Sequence, residues 1–183
     1  MPLHIDVKPA FIPYSGFMLG ADGTELMVHQ QEVRESEEDL IILDAPTASG
    51  KTLGMLTSIL DSRGNGVFVY PTNELIRDQG RSIASLLRRA GRNPTLIPME
   101  REFKTAPHDT GDVILAVVSG ASLEGVARKG EAIQRILHLA NHGRQLILLT
   151  NIDTLYQLFQ LRYYRGHKLL VDFLHTRFHT LAI

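Results

Sequence analysis

The chain has no cysteine, which excludes disulfide bonds and thiolate metal sites and fits a cytoplasmic protein. No uninterrupted apolar run approaches the length needed to span a bilayer, and no membrane contact is expected. The start, Met1-Pro2-Leu3-His4-Ile5-Asp6, shows no basic region followed by an apolar stretch, so no secretory signal is visible. A strong charge of either sign is also lacking: the formal net charge is −1 over 183 residues. Any contact with nucleic acid must therefore come from local groups, since the field of the whole molecule does not supply it. Internal repeats and low-complexity segments are absent. What remains is the composition of a globular domain, 44% hydrophobic and 21% charged, with enough chain for one substantial core.

The most informative stretch runs from Leu40 to Thr52. Leu40-Ile41-Ile42-Leu43 reads as a short buried strand. Ala45-Pro46-Thr47-Ala48-Ser49-Gly50-Lys51-Thr52 then has the spacing of a phosphate-binding loop, with Ala45 where many such loops carry glycine. An apolar-rich helix follows from Leu53. A loop that wraps phosphate must turn several backbone N–H groups inward, so small residues are needed, and Gly50 is free to take positive φ. The N-terminus of the following helix adds unsatisfied N–H groups and a positive dipole end. In that setting Lys51 reaches the β- and γ-phosphates of a nucleotide and the Thr52 hydroxyl helps hold Mg²⁺. The bland alternative, an ordinary turn before a helix, leaves the strand–loop–helix order unexplained.

Along the rest of the chain, residues 1–24 hold three prolines and three glycines and read as a loose opening segment with one short strand. Thr24 is placed to cap a helix running from Glu25 to about Glu38, whose acidic end reads as a solvated face. Further strands are expected at 67–70, 95–97, 112–118, 145–149 and 179–183. Helices are expected from 75 to about 90, with Gly91 at the stop, at 131–141, from Asn151 or Asp153 to about 164, and at 169–178. Strands alternating with helices imply crossover connections, an α/β fold with a mostly parallel sheet flanked by helices.

Tyr70-Pro71-Thr72-Asn73-Glu74-Leu75 resembles motif Ia of superfamily 2 helicases, and Ala45 to Thr52 resembles their form of the phosphate loop. Leu149-Thr150-Asn151-Ile152-Asp153-Thr154-Leu155 is similar to their motif Ib, with Ile152 where proline is expected. Gln30, or its neighbour Gln31, stands where that superfamily places a glutamine whose side-chain amide reads adenine. Together the wording of these motifs resembles the CRISPR-associated helicase of type I interference systems, the type I-D form in particular. The resemblance implies a P-loop NTPase domain of RecA-like fold over residues 25–183, ATP and Mg²⁺ as cofactors, and Lys51 and Thr52 as catalytic residues. It further implies contacts to single-stranded DNA from Pro71, Thr72, Asn73, Thr150 and Asn151, and a CRISPR effector complex or nuclease subunit as partner in antiviral defence.

The ends of parallel strands are where such sheets present ligands, and Thr72 and Asn73 offer a hydroxyl, an amide and nearby N–H groups to phosphate oxygens. The simpler reading of Pro71-Thr72-Asn73 is a helix cap, and the two roles are compatible. Phe178 to Ile183 resembles the strand that leads into an Asp-Glu-x-His box, whose acids would bind Mg²⁺ and position water. Without that box or a second RecA-like domain, the expectation is that this chain binds nucleotide but neither hydrolyses ATP efficiently nor unwinds a duplex. Two other classes remain open: a non-catalytic recruitment module docking on a larger nucleoprotein complex, and a small-molecule kinase, against which motif Ia argues. His138/His142 and His175/His179 have helical spacing but read as ordinary histidines, Arg162-Tyr163-Tyr164-Arg165 as a basic helix end, and Arg88, Arg89 and Arg92 as a solvated helix end.

Overall fold

The computed structural model describes residues 3–6, 14–19, 23–38, 40–46, 48–62, 64–97, 111–120, 144–159 and 178–182. Five parallel strands form the main sheet: β5 (Asn65–Tyr70), β6 (Pro94–Ile97), β7 (Val113–Val117), β8 (Gln145–Asn151) and β9 (Phe178–Ala182), in the spatial order β6-β7-β8-β5-β9. Every register in it is parallel, as the alternation of strands and helices requires. β7 and β8 are buried at every residue, which explains why they read as continuous apolar runs and not as an alternating pattern.

Period-two geometry splits those runs between two faces. Phe68, Val113, Leu115, Val117, Ile147, Leu149 and Ala182 join one core cluster with Leu56 and Ile59 of α2 (Lys51–Ser62) and Ile76, Ile83 and Leu87 of α3 (Asn73–Arg89). In α3 the buried positions Ile76, Gly80, Ile83, Ala84 and Leu87 make one stripe, with charged residues elsewhere. Its N-cap is Thr72, whose hydroxyl accepts from the Leu75 N–H at 3.3 Å, and Gly91 at φ 74° carries the chain away after its last turn. Gly66 is needed for α2 to lie this close to β5: a Cβ there would stand 2.4 Å from Ile59 Cδ1. The Gln145 amide ties the end of α2 to β8 by donating to the carbonyls of Ile59 and Gly64, each at 2.7 Å.

Several expectations need correction. The opening segment supplies two strands, β1 (Leu3–Asp6) and β2 (Tyr14–Leu19). Thr24 begins a third strand, β3 (Thr24–Met27), and no helix starts there; the helix α1 is Val28–Glu35. The reason is non-local: β3 pairs antiparallel with β2, and the Ser15 hydroxyl donates to the Leu26 carbonyl at 2.9 Å. The strand before the phosphate loop, β4 (Ile41–Asp44), pairs with β1 in a separate parallel pair and does not join the main sheet. It is half-exposed, not buried: Leu40 is 56% and Ile42 46% exposed. Arg89 and Arg92 are not simply solvated; Arg89 donates to Thr24 Oγ1 at 2.9 Å, and Arg92 forms an ion pair with Asp112. The helix expected from Asn151 is observed as α4 (Ile152–Phe159), contacting β8 and β5. The expected helix at 131–141, the expected helix at 169–178 up to residue 177, the His138/His142 pair, His175 and the Arg162–Arg165 stretch lie outside the described residues; Phe178, expected to end that helix, opens β9.

Candidate nucleotide and nucleic-acid site

The loop between β4 and α2 has the backbone that phosphate wrapping demands. Ala48 at φ 64° and Gly50 at φ 76° are both left-handed, and between them the Ser49 N–H donates to the Pro46 carbonyl at 3.2 Å. A non-glycine residue at positive φ is strained, and such strain is concentrated at ligand-holding turns. Alternating αR and αL residues turn successive N–H groups into one concavity, the shape that takes an anion. The Gly50 carbonyl then starts α2, accepting from Leu53 N at 2.9 Å and Gly54 N at 3.2 Å.

Lys51 does not extend outward here. Its ammonium donates to the carbonyls of Ala45 (2.5 Å) and Pro46 (2.9 Å), folding back over the loop. An ammonium has three donors and no acceptor, so it exchanges carbonyl partners for phosphate oxygens without rebuilding the loop. These residues fit a nucleotide with its magnesium: an N–H-lined turn, a lysine within the loop's own reach, and Thr52 in the first turn of α2. A bound nucleoside triphosphate would supply the phosphoryl group and the cation its charge neutralisation. Thr47 lies outside the described residues.

Gln30 of α1 is wired into this loop from below. It is 2% exposed; its Oε1 accepts from Met27 N at 2.9 Å, and its Nε2 donates to the carbonyls of Gly50 at 3.0 Å and Ser49 at 3.3 Å. The carboxamide expected to read adenine is thus occupied as a strut between the start of α1 and the phosphate loop. A Cβ on Gly50 would lie 2.2 Å from Gln30 Nε2, so the glycine serves both the positive φ and this approach. Gln31, the alternative, hydrogen-bonds to Glu35 on the surface at 2.7 Å. Beside Gln30, His29 is 1% exposed, and among the described residues neither ring nitrogen completes a hydrogen bond. Burial holds its imidazole below the ordinary value of 6.5, against opposing pulls from the Ser49 backbone and Glu32, with Lys51 acting in the same downward direction.

The second group of expected residues sits at the carboxyl ends of two adjacent strands. Tyr70 of β5 and Asn151 of β8 are register partners. From there Pro71, Thr72 and Asn73 emerge exposed. Asn151 Nδ2 donates to Asn73 Oδ1 at 2.7 Å, and Asn151 Oδ1 caps α4 by accepting from Thr154 N at 2.7 Å. Asn151, not Asp153, is therefore the cap. The structure thus brings Asn73 and Asn151 together as one polar ledge at the N-termini of α3 and α4. Thr150 is different: it is fully buried, with no partner for its hydroxyl among the described residues, and as placed it offers no surface to a nucleic acid. Asn151 is buried too, at 9% exposure, but its amide lies at the strand end and reaches Asn73.

One contact escaped sequence reasoning. The Asn73–Asn151 bond spans 78 positions, and no spacing rule signals it. Among the described residues no group of His, Cys, Asp or Glu is arranged to hold a metal ion by itself, and no helix is long and apolar enough to cross a membrane.

Comparison with known proteins bears on this geometry. Residues 28–117, just under half of the chain, match the family of DEAD/DEAH box helicases. No curated protein matches the chain. Among solved structures, the crystal structure of a hypothetical ATP-dependent RNA helicase from Sulfolobus tokodaii is similar at 16% identity and a TM-score of 0.31, covering 76% of this chain and 46% of that one. The chain thus spans less than half of that protein's length. The parallel five-stranded sheet flanked by helices is a RecA-like α/β architecture.

Proposed function

We propose that this chain, which carries a helicase ATP-binding domain of the DEAD/DEAH box type over residues 28–117, is the nucleotide-binding half of an ATP-dependent motor that moves on single-stranded DNA. The observation that carries the reading is the phosphate loop. Ala48 and Gly50 are left-handed, Lys51 rests on the loop's own carbonyls, and Thr52 opens α2. ATP with Mg²⁺ is its ligand, held by Ala45 to Thr52. Hydrolysis by these residues alone is slow, because the groups gathered at the loop bind phosphate and cation but include no carboxylate to align water.

The DNA-facing surface is the ledge formed by Pro71, Thr72, Asn73 and Asn151. Thr72 keeps its hydroxyl hydrogen while accepting from Leu75 N, and the two asparagines lock each other's orientation. Such groups grip phosphates without reading bases, which suits a translocating protein. The wording of the Thr-Ala-Ser-Gly-Lys-Thr and Tyr-Pro-Thr-Asn-Glu-Leu segments supports a place in type I CRISPR interference, with a guide-RNA effector complex or nuclease subunit as the partner. The test is fluorescence anisotropy with labelled single-stranded DNA and RNA of one sequence, with and without a non-hydrolysable ATP analogue. DNA binding that tightens with the analogue and weakens in Asn73→Ala supports the reading. Binding of RNA alone, or of neither, refutes it.

A further inference from the structure

The helix that leaves the ledge carries positive charge that the site described above does not use. α3 holds four arginines, Arg77, Arg81, Arg88 and Arg89, against two carboxylates, Glu74 and Asp78, in a chain whose net charge is −1. All four arginines are exposed.

A helix turns by about 100° per residue, so spacing decides which side chains share a flank. On that projection Arg77, Arg81 and Arg88 fall within about 40° of one another. Asn73, the first residue of the helix, falls within about 40° of Arg77. The Asn73 amide oxygen accepts from Asn151 of β8, so this flank begins at the ledge. Arg89 points elsewhere, donating to Thr24 Oγ1 of β3. The two carboxylates stand about 60° to one side of the aligned arginines, on the crest opposite the buried stripe. Asp78 comes to 3.9 Å from Arg81, but the two side chains are 74% and 78% exposed, and so loose and screened a pair does not consume the guanidinium.

From Arg77 to Arg88 the stripe runs about 16 Å along the helix axis, enough to follow several phosphates of one strand. A guanidinium stays charged at any working pH and presents a fork of N–H donors that matches two phosphate oxygens at once. A solvated helix face needs no such alignment. Here three of the four arginines line up with the one asparagine of the helix that reaches the ledge.

We propose that this flank of α3 continues the nucleic-acid path: a single strand gripped at Asn73 and Asn151 runs on along Arg77, Arg81 and Arg88, which pair with its phosphates and leave its bases unread. The inference rests on the nucleic-acid reading of the ledge given above and adds to it the course the strand takes on leaving.

The test is fluorescence anisotropy with a labelled oligothymidylate and a mixed-sequence single strand, each of about 20 nucleotides, over a series of salt concentrations. The proteins are wild type, Arg81→Gln, Arg88→Gln, their double variant, Asn73→Ala, and Arg89→Gln as a control from another side of the helix; melting curves check each fold. Arg81→Gln and Arg88→Gln are each expected to weaken binding about fivefold at low salt. Each should also flatten the slope of log affinity against log salt by about 0.7, the share of one phosphate on a single strand, and the double variant by about 1.4. The losses should be the same on both strands, and Arg89→Gln should keep the wild-type slope. An unchanged slope in Arg81→Gln and Arg88→Gln overturns the proposal and leaves the stripe to solvent or to an acidic protein. An equal loss in Arg89→Gln overturns it as well, since general positive charge then explains the effect. If Asn73→Ala weakens binding and the arginine variants do not, this inference alone fails. If wild type binds no single strand, the reading of the ledge fails and this one with it.

Discussion

Replacing Gln30 by leucine keeps most of the side-chain volume and removes the carboxamide that braces the phosphate loop. Three hydrogen bonds are lost, to Met27 N, Ser49 O and Gly50 O. Each is worth about 1 kcal/mol net, and a buried backbone group left unpaired costs about 1–3 kcal/mol. The leucine returns roughly 1–2 kcal/mol through apolar burial. The balance is a destabilisation of about 2–5 kcal/mol, or a fall of roughly 4–20 °C in Tm for a chain of this size. Urea unfolding followed by circular dichroism measures it. A change within about 0.5 kcal/mol, the level of an ordinary surface substitution, refutes the strut. A second readout separates strut from base reader. A strut holds the loop for any nucleotide, so ADP and GDP should weaken together and their affinity ratio should stay constant. A wild-type preference for ADP that disappears in Gln30→Leu refutes the strut and restores Gln30 as the reader of adenine.

Two further predictions concern pH. Because burial holds His29 below 6.5 in the folded chain, the unfolded state binds more protons beneath that value. The stability tied to His29 is thus full above 6.5 and declines as pH falls through the window below it. His29→Phe should lessen the drop in urea midpoint between about pH 7.5 and about pH 5.5; an unchanged drop counts against a buried neutral imidazole. Burial pushes the Asp112 carboxyl up, but the Arg92 guanidinium and the Asn93 N–H outweigh it and hold it below 3.8. Its contribution is present above 3.8 and lost as pH falls through the lower folded value. Its ion pair is half-exposed and screened, so Asp112→Asn should cost about 1 kcal/mol at neutral pH. Nucleotide affinity should not change, since Asp112 lies at the start of β7, away from the strand ends that carry Tyr70 and Asn151. A tenfold loss of ADP affinity would show that reasoning to be wrong.

The parts of this fold that were legible in the sequence are those whose causes are local. The loop from Ala45 to Lys51 needs small residues and a glycine at fixed offsets. The start of α3 needs a capping threonine three residues ahead of the N–H it satisfies, which Thr72 supplies for Leu75. β7 and β8 announce themselves because strands covered on both faces have no polar positions to interrupt them. What misled the reading was pairing between distant segments. Thr24–Met27 has the cap and periodicity of a helix start, yet β2 takes it as an antiparallel strand. Leu40–Leu43 is apolar enough for a central strand, yet β4 pairs with β1 and leaves Leu40 and Ile42 largely in solvent. Site residues divide the same way. Lys51 and Thr52 follow from spacing, whereas the burial of Thr150 and the strut role of Gln30 are set by tertiary contact.

The central claim is that the loop from Ala45 to Thr52 holds the phosphates of an adenine nucleotide, and Lys51→Ala in a calorimetric titration with Mg²⁺–ADP tests it most directly. Wild type is expected to bind one ADP per chain. Lys51→Ala should lose at least about tenfold in affinity, the equivalent of one charge-assisted contact of about 1.5–3 kcal/mol, while its melting temperature stays near that of wild type because, among the described residues, the Lys51 ammonium bonds to its own loop. Equal binding by the two proteins, or no binding by either, would contradict the account.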